Sequence, residues 1–448
     1  MKPKLSSAQI TSLDEFGNRV YLNPAEVQGP FRKYRTILQT ILVVFFLGLP
    51  WTQMNGHQSL LFDIQQREFY IFGLYLRAHN APMLLFLLLG GTLSLAFVTS
   101  VWGRVWCGWA CPQTVFIDGF FRRIEYLVEG NYLKRRKMAV DPISSSFLIK
   151  KSIKWILFYF ASVLISHSFL AYFVGSYQFF EIIEHGPSAN WNLFVLAQVI
   201  TLLLLFDFGW YREQFCTIMC PYGRIQGLLL DQSSLAVVYD QKRNDCVNCN
   251  RCVNACPIGI DIRNGLQMEC IACTACIDAC DEIMEKVNKP KGLVRYDTLN
   301  GEKINLFKPR SLIYLTAILI CVIGLIYSIT QLKHSEAFVL RSISTPYTQQ
   351  TENGIETVTN QFRFHVNNQS NDIHKYKIEV IDRPEIQIIS QMSEVELKPK
   401  ETFDWHFFLT VPKSDFFKNK KVKVRLIDKE NPSEFSKESV LTLLGPSN

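Results

Sequence analysis

Residues 246–257 read CVNCNRCVNACP, and residues 270–281 read CIACTACIDACD. Both runs carry the spacing C-x2-C-x2-C-x3-C. Three thiolates on one tight loop can bind three corners of an iron–sulfur cubane, and the fourth cysteine of each run ligates the other cluster when two runs occur together. The expected pairing is therefore Cys246, Cys249, Cys252 and Cys280 on one [4Fe-4S] cluster, with Cys270, Cys273, Cys276 and Cys256 on the other. Structural zinc is the bland alternative, but zinc ribbons do not need four cysteines per run. Redox disulfides fit a reducing cytoplasm still less well. Pro257 follows the first run, whereas Asp281 stands where the second would carry proline. That departure loosens the expected turn and removes no ligand.

Around these runs the chain is strongly apolar. Stretches near Leu38–Met54, Met83–Val101, Ile153–Phe173, Leu193–Trp210 and Leu312–Ile329 are each long enough to cross a bilayer, and the cysteine runs lie between the fourth and the fifth. The first follows more than thirty polar residues and precedes no small-residue cleavage pattern, so it reads as a retained span. Lysine and arginine alternate between the connecting segments. Six occur up to Arg35, nine in Gly103–Ser152 and twelve in Glu213–Ser311, against two between the first spans and none in Gly175–Asn190. The positive-inside rule then puts the N-terminus and both basic segments in the cytoplasm and the tail beyond Leu332 outside. Of thirteen cysteines, twelve fall in residues 107–280, which suits metal ligands better than a disulfide scaffold.

Two further pairs flank the spans. CGWACP (Cys107, Cys111) follows the second and CTIMCP (Cys216, Cys220) the fourth, each C-x3-C-P at a cytoplasmic exit. If these pairs are helical, their thiols share one helix face and the proline ends or redirects the helix. Brought together by the duplicated hairpin, four soft sulfurs suit Cu(I), a further iron–sulfur cluster or a dithiol redox centre. The bland alternative is packing of buried cysteines near helix ends. Cys321, alone in an apolar span, reads as a small buried hydrophobe, and His167 as packed or locally hydrogen-bonded.

The tail alternates in the manner of strands: Phe362, Phe364 and Val366; Tyr376, Ile378 and Val380; Phe403 to Val411; Val422, Val424 and Leu426. About a hundred such residues suggest an immunoglobulin-like sandwich. The fold class expected is thus an α-helical membrane protein of five transmembrane helices, with a cytoplasmic ferredoxin-like 2[4Fe-4S] insert and a C-terminal all-β immunoglobulin-like domain. Its parts are an arm (1–36), a four-helix membrane domain (37–212), a cytoplasmic segment (213–311), a fifth helix (312–332) and a sandwich (345–448).

Five spans, paired C-x3-C-P motifs, a doubled ferredoxin motif and a sandwich-like tail resemble the cytochrome c oxidase accessory protein (FixG/CcoG) family over nearly the whole chain. The resemblance implies a bacterial inner-membrane protein that serves assembly of cbb-type oxidases as a cupric reductase. It puts Cys107, Cys111, Cys216 and Cys220 at a copper-reducing or electron-exit site, fed by the eight ferredoxin-type cysteines. Expected partners are membrane lipid, copper ions and cbb-type oxidase subunits or assembly factors, with no nucleic acid. Oligomeric state is left open, a homodimer among the options. Two rivals are a quinol dehydrogenase-type electron-transfer subunit and a non-redox assembly scaffold.

Overall fold

Helices long and apolar enough to cross a membrane occupy Pro30–Trp51, Pro82–Trp102, Ser145–Val174, Pro187–Tyr211 and Pro309–Thr330. The structure is a computed structural model that describes residues 22–446 apart from 55, 65–67, 78–80, 141–144, 299–300, 302–307, 331–334, 342–346, 353–354, 369, 371, 384, 400, 419, 431 and 433–434. All five expected spans are present, and three begin well ahead of their apolar runs: the first at Pro30, the third at Ser145 rather than Ile153 and the fourth at Pro187 rather than Leu193. The first starts at Pro30 rather than Leu38, because proline is well suited to a first helical turn. It ends at Trp51, and Met54 belongs instead to a short strand, Gln53–Met54.

Small residues and aromatics knit the spans together. A Cβ at Gly324 of the fifth helix would lie 2.7 Å from the Phe86 ring of the second, so glycine lets the ring pack here without being pushed aside. Cys321 packs beside Gly90 and is buried, as a small hydrophobe should be. Phe121 sits 4.8 Å from Phe158 and 5.3 Å from Phe208, which joins the helix after CGWACP to both helices of the second hairpin. His167 Nδ1 lies 2.8 Å from the Val163 carbonyl, the local bond expected of it. Between the first two spans, Leu60–Asp63, Glu68–Ile71 and Leu74–Arg77 form a small antiparallel sheet.

Between the fourth and fifth spans, strand Leu235–Tyr239 pairs antiparallel with Val294–Thr298 and brackets both cysteine runs. The tail is a compact unit of its own. One sheet contains Ser335–Arg341, Thr348–Glu352, Ile355–Asn368, Thr402–Pro412 and Gln387–Ser390. The other contains Glu394–Leu397, His374–Val380, Lys421–Asp428 and Ser436–Thr442. The alternating residues read from the sequence face each other across these layers: Phe364 and Phe407 of the first sheet and Val424 and Leu426 of the second are fully buried. The first strand starts at Ser335, ahead of the boundary expected at 345, because its alternation follows the last span with no turn-rich break.

Candidate redox site

The two cysteine runs adopt one loop twice. Asn248 and Asn250 have φ of 53° and 54°, and the equivalent Ala272 and Thr274 have φ of 51° and 62°. Asparagine tolerates this left-handed region, but a β-branched residue there is a true outlier that its surroundings must enforce. The gain is a turn that curls the backbone around three thiols. In each loop a backbone N–H is aimed at sulfur: Asn248 N is 3.4 Å from Cys246 Sγ, and Ala272 N is 3.4 Å from Cys270 Sγ. Pro257 confines the helix within the first run to Arg251–Ala255. With Asp281 in its place, the second helix runs from Ala275 to Lys286, and Asp281 Oδ1 accepts from Gly292 N at 2.8 Å.

The fourth cysteines cross over. Cys246, Cys249, Cys252 and Cys280 line one recess of about 380 Å³, with Tyr239 and Arg263 beside them. Cys256, Cys270, Cys273 and Cys276 line a second of about 380 Å³, walled by Ile258, Ile260 and Ile271 and touched by Cys252. The first reaches solvent through the exposed Cys249, whereas Cys270 and Cys273 of the second are buried. Among the described residues no three His, Cys, Asp or Glu side chains converge on a position for a single metal ion. Four thiols around each recess fit the four-cysteine ligation of an iron–sulfur cubane. Burial pushes the Cys256 thiol up to about 12, Cys270 to about 11 and Cys280 to about 12. A bound cation is what favours thiolates at such positions.

The inner loop, residues 270–273, is clamped to the membrane domain. A Cβ at Gly108 would come within 2.6 Å of the Ile271 carbonyl oxygen and 2.8 Å of Cys273 N, so backbone meets backbone there. Arg35, buried in the head of the first helix, donates to Gly108 O at 2.8 Å and Cys273 O at 3.2 Å and pairs with Asp118. Arg104 donates to Met268 O, to Cys270 O at 3.4 Å and to Gly223 O at 2.9 Å, so it ties the loop to both C-x3-C-P segments. Trp109 Nε1 donates to the Tyr296 hydroxyl at 3.1 Å, which itself donates to Ala272 O at 2.8 Å. Asp278, on the helix between Cys276 and Cys280, accepts from the N–H groups of Phe31 and Arg32 at the start of the first span.

In the C-x3-C-P pairs only the first cysteine is helical. Cys107 lies on the turn Val105–Trp109 and Cys216 on Phe215–Met219. Cys111 and Cys220 are extended and precede new helices opened by Pro112 and Pro221. The expectation of one shared helix face is thereby corrected: proline at N1 starts the next helix. Matching bonds close both turns, Cys111 N to Trp106 O at 2.9 Å and Cys220 N to Phe215 O at 2.8 Å. Burial pushes the Cys216 thiol well up, and the nearby Cys111, Glu213, Cys107 and Cys220 add to the effect, so the four thiols share one neighbourhood. Burial also raises Cys111, opposed by the N–H groups of Gln113 and Thr114 at the helix start. Cys107 packs against the cluster formed by Ile258, Ile260, Cys270, Ile271 and Cys273.

A buried ionic knot braces this base. Glu125 meets Arg212 at 2.6 Å, Arg135 at 3.3 Å and Lys154 at 3.7 Å. Burial raises its carboxyl, but Arg212, Lys154 and Arg135 override that and hold it at about 2, below the ordinary 4.5. A depressed carboxylate contributes stability fully above its unfolded value and loses it as pH falls toward the folded one. Glu125→Gln should therefore lower the Tm most at neutral pH, with the difference from the parent shrinking between about pH 4.5 and about pH 2; thermal unfolding across that window checks it.

The 4Fe-4S dicluster domain family matches residues 211–245 and 241–299, and the 4Fe-4S binding domain family matches 82–135, the segment with Cys107 and Cys111. The family described as the IG-like fold at the C-terminal of FixG matches 325–446. Protein RdxB of Cereibacter sphaeroides is 31% identical over 68% of this chain and 70% of its own length. The chain belongs to the FixG family. Nitrogen fixation protein FixG of Rhizobium meliloti is 30% identical over 63% of this chain and 58% of its own, and protein RdxA of Cereibacter sphaeroides 29% over 64% and 65%. The aligned part therefore spans somewhat under two thirds of FixG and RdxA. As a FixG-family member the chain is an iron–sulfur electron-transfer protein with several apolar membrane helices and an immunoglobulin-like C-terminal domain.

The residues that hold the FixG-type site together were not the ones its motifs advertise. Arg35 sits inside a span, Arg104 just ahead of CGWACP, Glu125, Arg135 and Lys154 on separate helices, and Arg212 in the turn after the fourth span. Arg35 precedes the apolar run at Leu38 as one of six basic residues of the N-terminal arm, so nothing in the sequence set it apart; only the extension of the helix back to Pro30 makes it a buried charge that needs partners.

Proposed function

We propose that this chain reduces Cu(II) to Cu(I) at an inner membrane, in support of cbb-type oxidase assembly. The observation that carries the reading is the order of the thiol sets. The exposed set with Cys249 adjoins the buried set through Cys252, and the buried set adjoins Cys107 of the membrane-edge thiols. Cys246, Cys249, Cys252 and Cys280 hold one cluster in this reading, and Cys256, Cys270, Cys273 and Cys276 the other; when bound, each supplies a one-electron relay. The N–H groups of Asn248 and Ala272, aimed at Cys246 and Cys270 Sγ, would favour the reduced state of clusters held there.

Cys107, Cys111, Cys216 and Cys220 receive the copper substrate. Each Cu(II) takes up one electron, supplied by a one-electron donor on the cytoplasmic side, and soft sulfur favours the Cu(I) product. The arginine- and lysine-rich segments support a cytoplasmic N-terminus and insert and a periplasmic sandwich, which would be free to engage an oxidase subunit.

Cys→Ser at all four membrane-edge positions tests the copper site. Serine is nearly isosteric but a poor Cu(I) ligand. Iron and acid-labile sulfide should stay at the parental level while cupric reduction falls to background. Parental reduction rates with intact clusters would move the site elsewhere.

A further inference from the structure

An open cleft of about 1450 Å³ lies beside the inner thiol set, lined there by Ala255, Pro257 and Ala275. Among the charged residues of its remaining wall, guanidinium groups outnumber carboxylates. Arg32, Arg35, Arg122, Arg123 and Arg135 line it, with Glu26 and Asp118 as the carboxylates in the lining. Asp118 is shared three ways, by Arg35, by Arg122 at 2.7 Å and by Arg32 at 3.6 Å. Arg122 also reaches Glu213, and Arg135 divides itself between Glu26 at 3.0 Å and Glu125 at 3.3 Å. Arg123 is exposed and makes no ion pair among the described residues. The Nε groups of Arg122 and Arg135 are buried with no acceptor, so the protein's own oxygens do not exhaust these donors.

We propose that this cleft binds a phosphate-bearing anion. Several partly desolvated guanidinium groups around one concavity are costly unless an anion completes them. Their planar forks match phosphate oxygens two at a time, which a lysine-lined surface would not do. The recess is concave, which suits a small ligand rather than the convex face of an acidic protein. Its position at the foot of the first span admits two sources of the same chemistry: the headgroup of an acidic phospholipid, or a soluble phosphorylated compound. The inference goes beyond copper reduction and does not depend on it.

The test uses full-length protein in detergent, titrated with short-chain phosphatidylglycerol, short-chain phosphatidylcholine and inorganic pyrophosphate. Native mass spectrometry counts bound ligand, and tryptophan fluorescence follows the titration at low and high salt. At least one anionic probe should bind at low salt and weaken at high salt, with phosphatidylcholine far behind. Arg123→Gln, at an exposed position outside the ion pairs, should weaken that binding about tenfold, and Arg123→Lys should restore part of it. Arg32→Gln should act in the same direction. Binding of phosphatidylglycerol alone identifies a headgroup site, and binding of pyrophosphate alone a soluble ligand; either supports the proposal. Failure of both anionic probes overturns it, and so does binding that Arg123→Gln leaves unchanged while the variant keeps its parental Tm.

Discussion

Cys256→Ser is expected to extinguish the electron paramagnetic resonance signal of the cluster on the second cysteine run and to leave that of the first. The substituted residue belongs to the first run by sequence, yet its thiol lines the recess of Cys270, Cys273 and Cys276. Cys256 is carried there by the extended backbone that follows the helix Arg251–Ala255, with Pro257 preventing the helix from continuing. About half of the iron and acid-labile sulfide should be lost, since one of two cubanes loses a corner ligand. If the chain reduces Cu(II) as proposed, that activity should fall to background, because the inner set lies between the exposed set and the membrane-edge thiols. The mirror variant, Cys280→Ser, should remove the other signal. If Cys256→Ser instead abolished the signal of Cys246, Cys249 and Cys252, ligation would follow the sequence order and the crossed assignment would be wrong.

Gly108→Val should separate the membrane domain from the inner loop. The clash is with backbone, 2.6 Å to Ile271 O and 2.8 Å to Cys273 Cα and N, so no side chain can swing aside. Overpacking of this kind costs about 1–3 kcal/mol even where neighbours can move, and here they are the atoms that shape the loop. The expected result is a lower Tm together with loss of the inner signal, while the outer cluster, lined by Cys246, Cys249, Cys252 and Cys280, persists. Gly119→Ala is the control: its Cβ would meet only the Val43 side chain at 3.5 Å, an ordinary contact. Iron retention equal to the parent in Gly108→Val would mean that the loop does not need this seat.

Much of the architecture was legible because it is local. Bilayer thickness demands long apolar runs, and five were readable, with Pro30 shifting the first. Strand alternation has a period of two, so Phe362, Phe364 and Val366 announced a buried face before their partners were known. Thiol spacing is equally local, and Asn248, Asn250, Ala272 and Thr274 turn each run into the loop that spacing implied. The C-x3-C-P pairs were legible as matched motifs with a proline that ends or redirects a helix, but the condition for one shared face, a helix through both cysteines, is not met.

Contacts between distant parts of the chain were decided by the tertiary structure alone. Arg35 and Cys273 lie 238 residues apart, and Arg104 and Cys270 are separated by 166. No periodicity records such a pairing, since it arises only when a buried guanidinium must find carbonyls that the fold brings to it. The same holds for the four membrane-edge thiols and for the arginines gathered round Asp118. Amino-acid order alone determined which elements form and which atoms can bind metal. Their assembly into one ordered row of thiols beside a cationic cleft was left to packing, where burial makes every unpaired charge expensive and so selects the arrangement that pairs most of them.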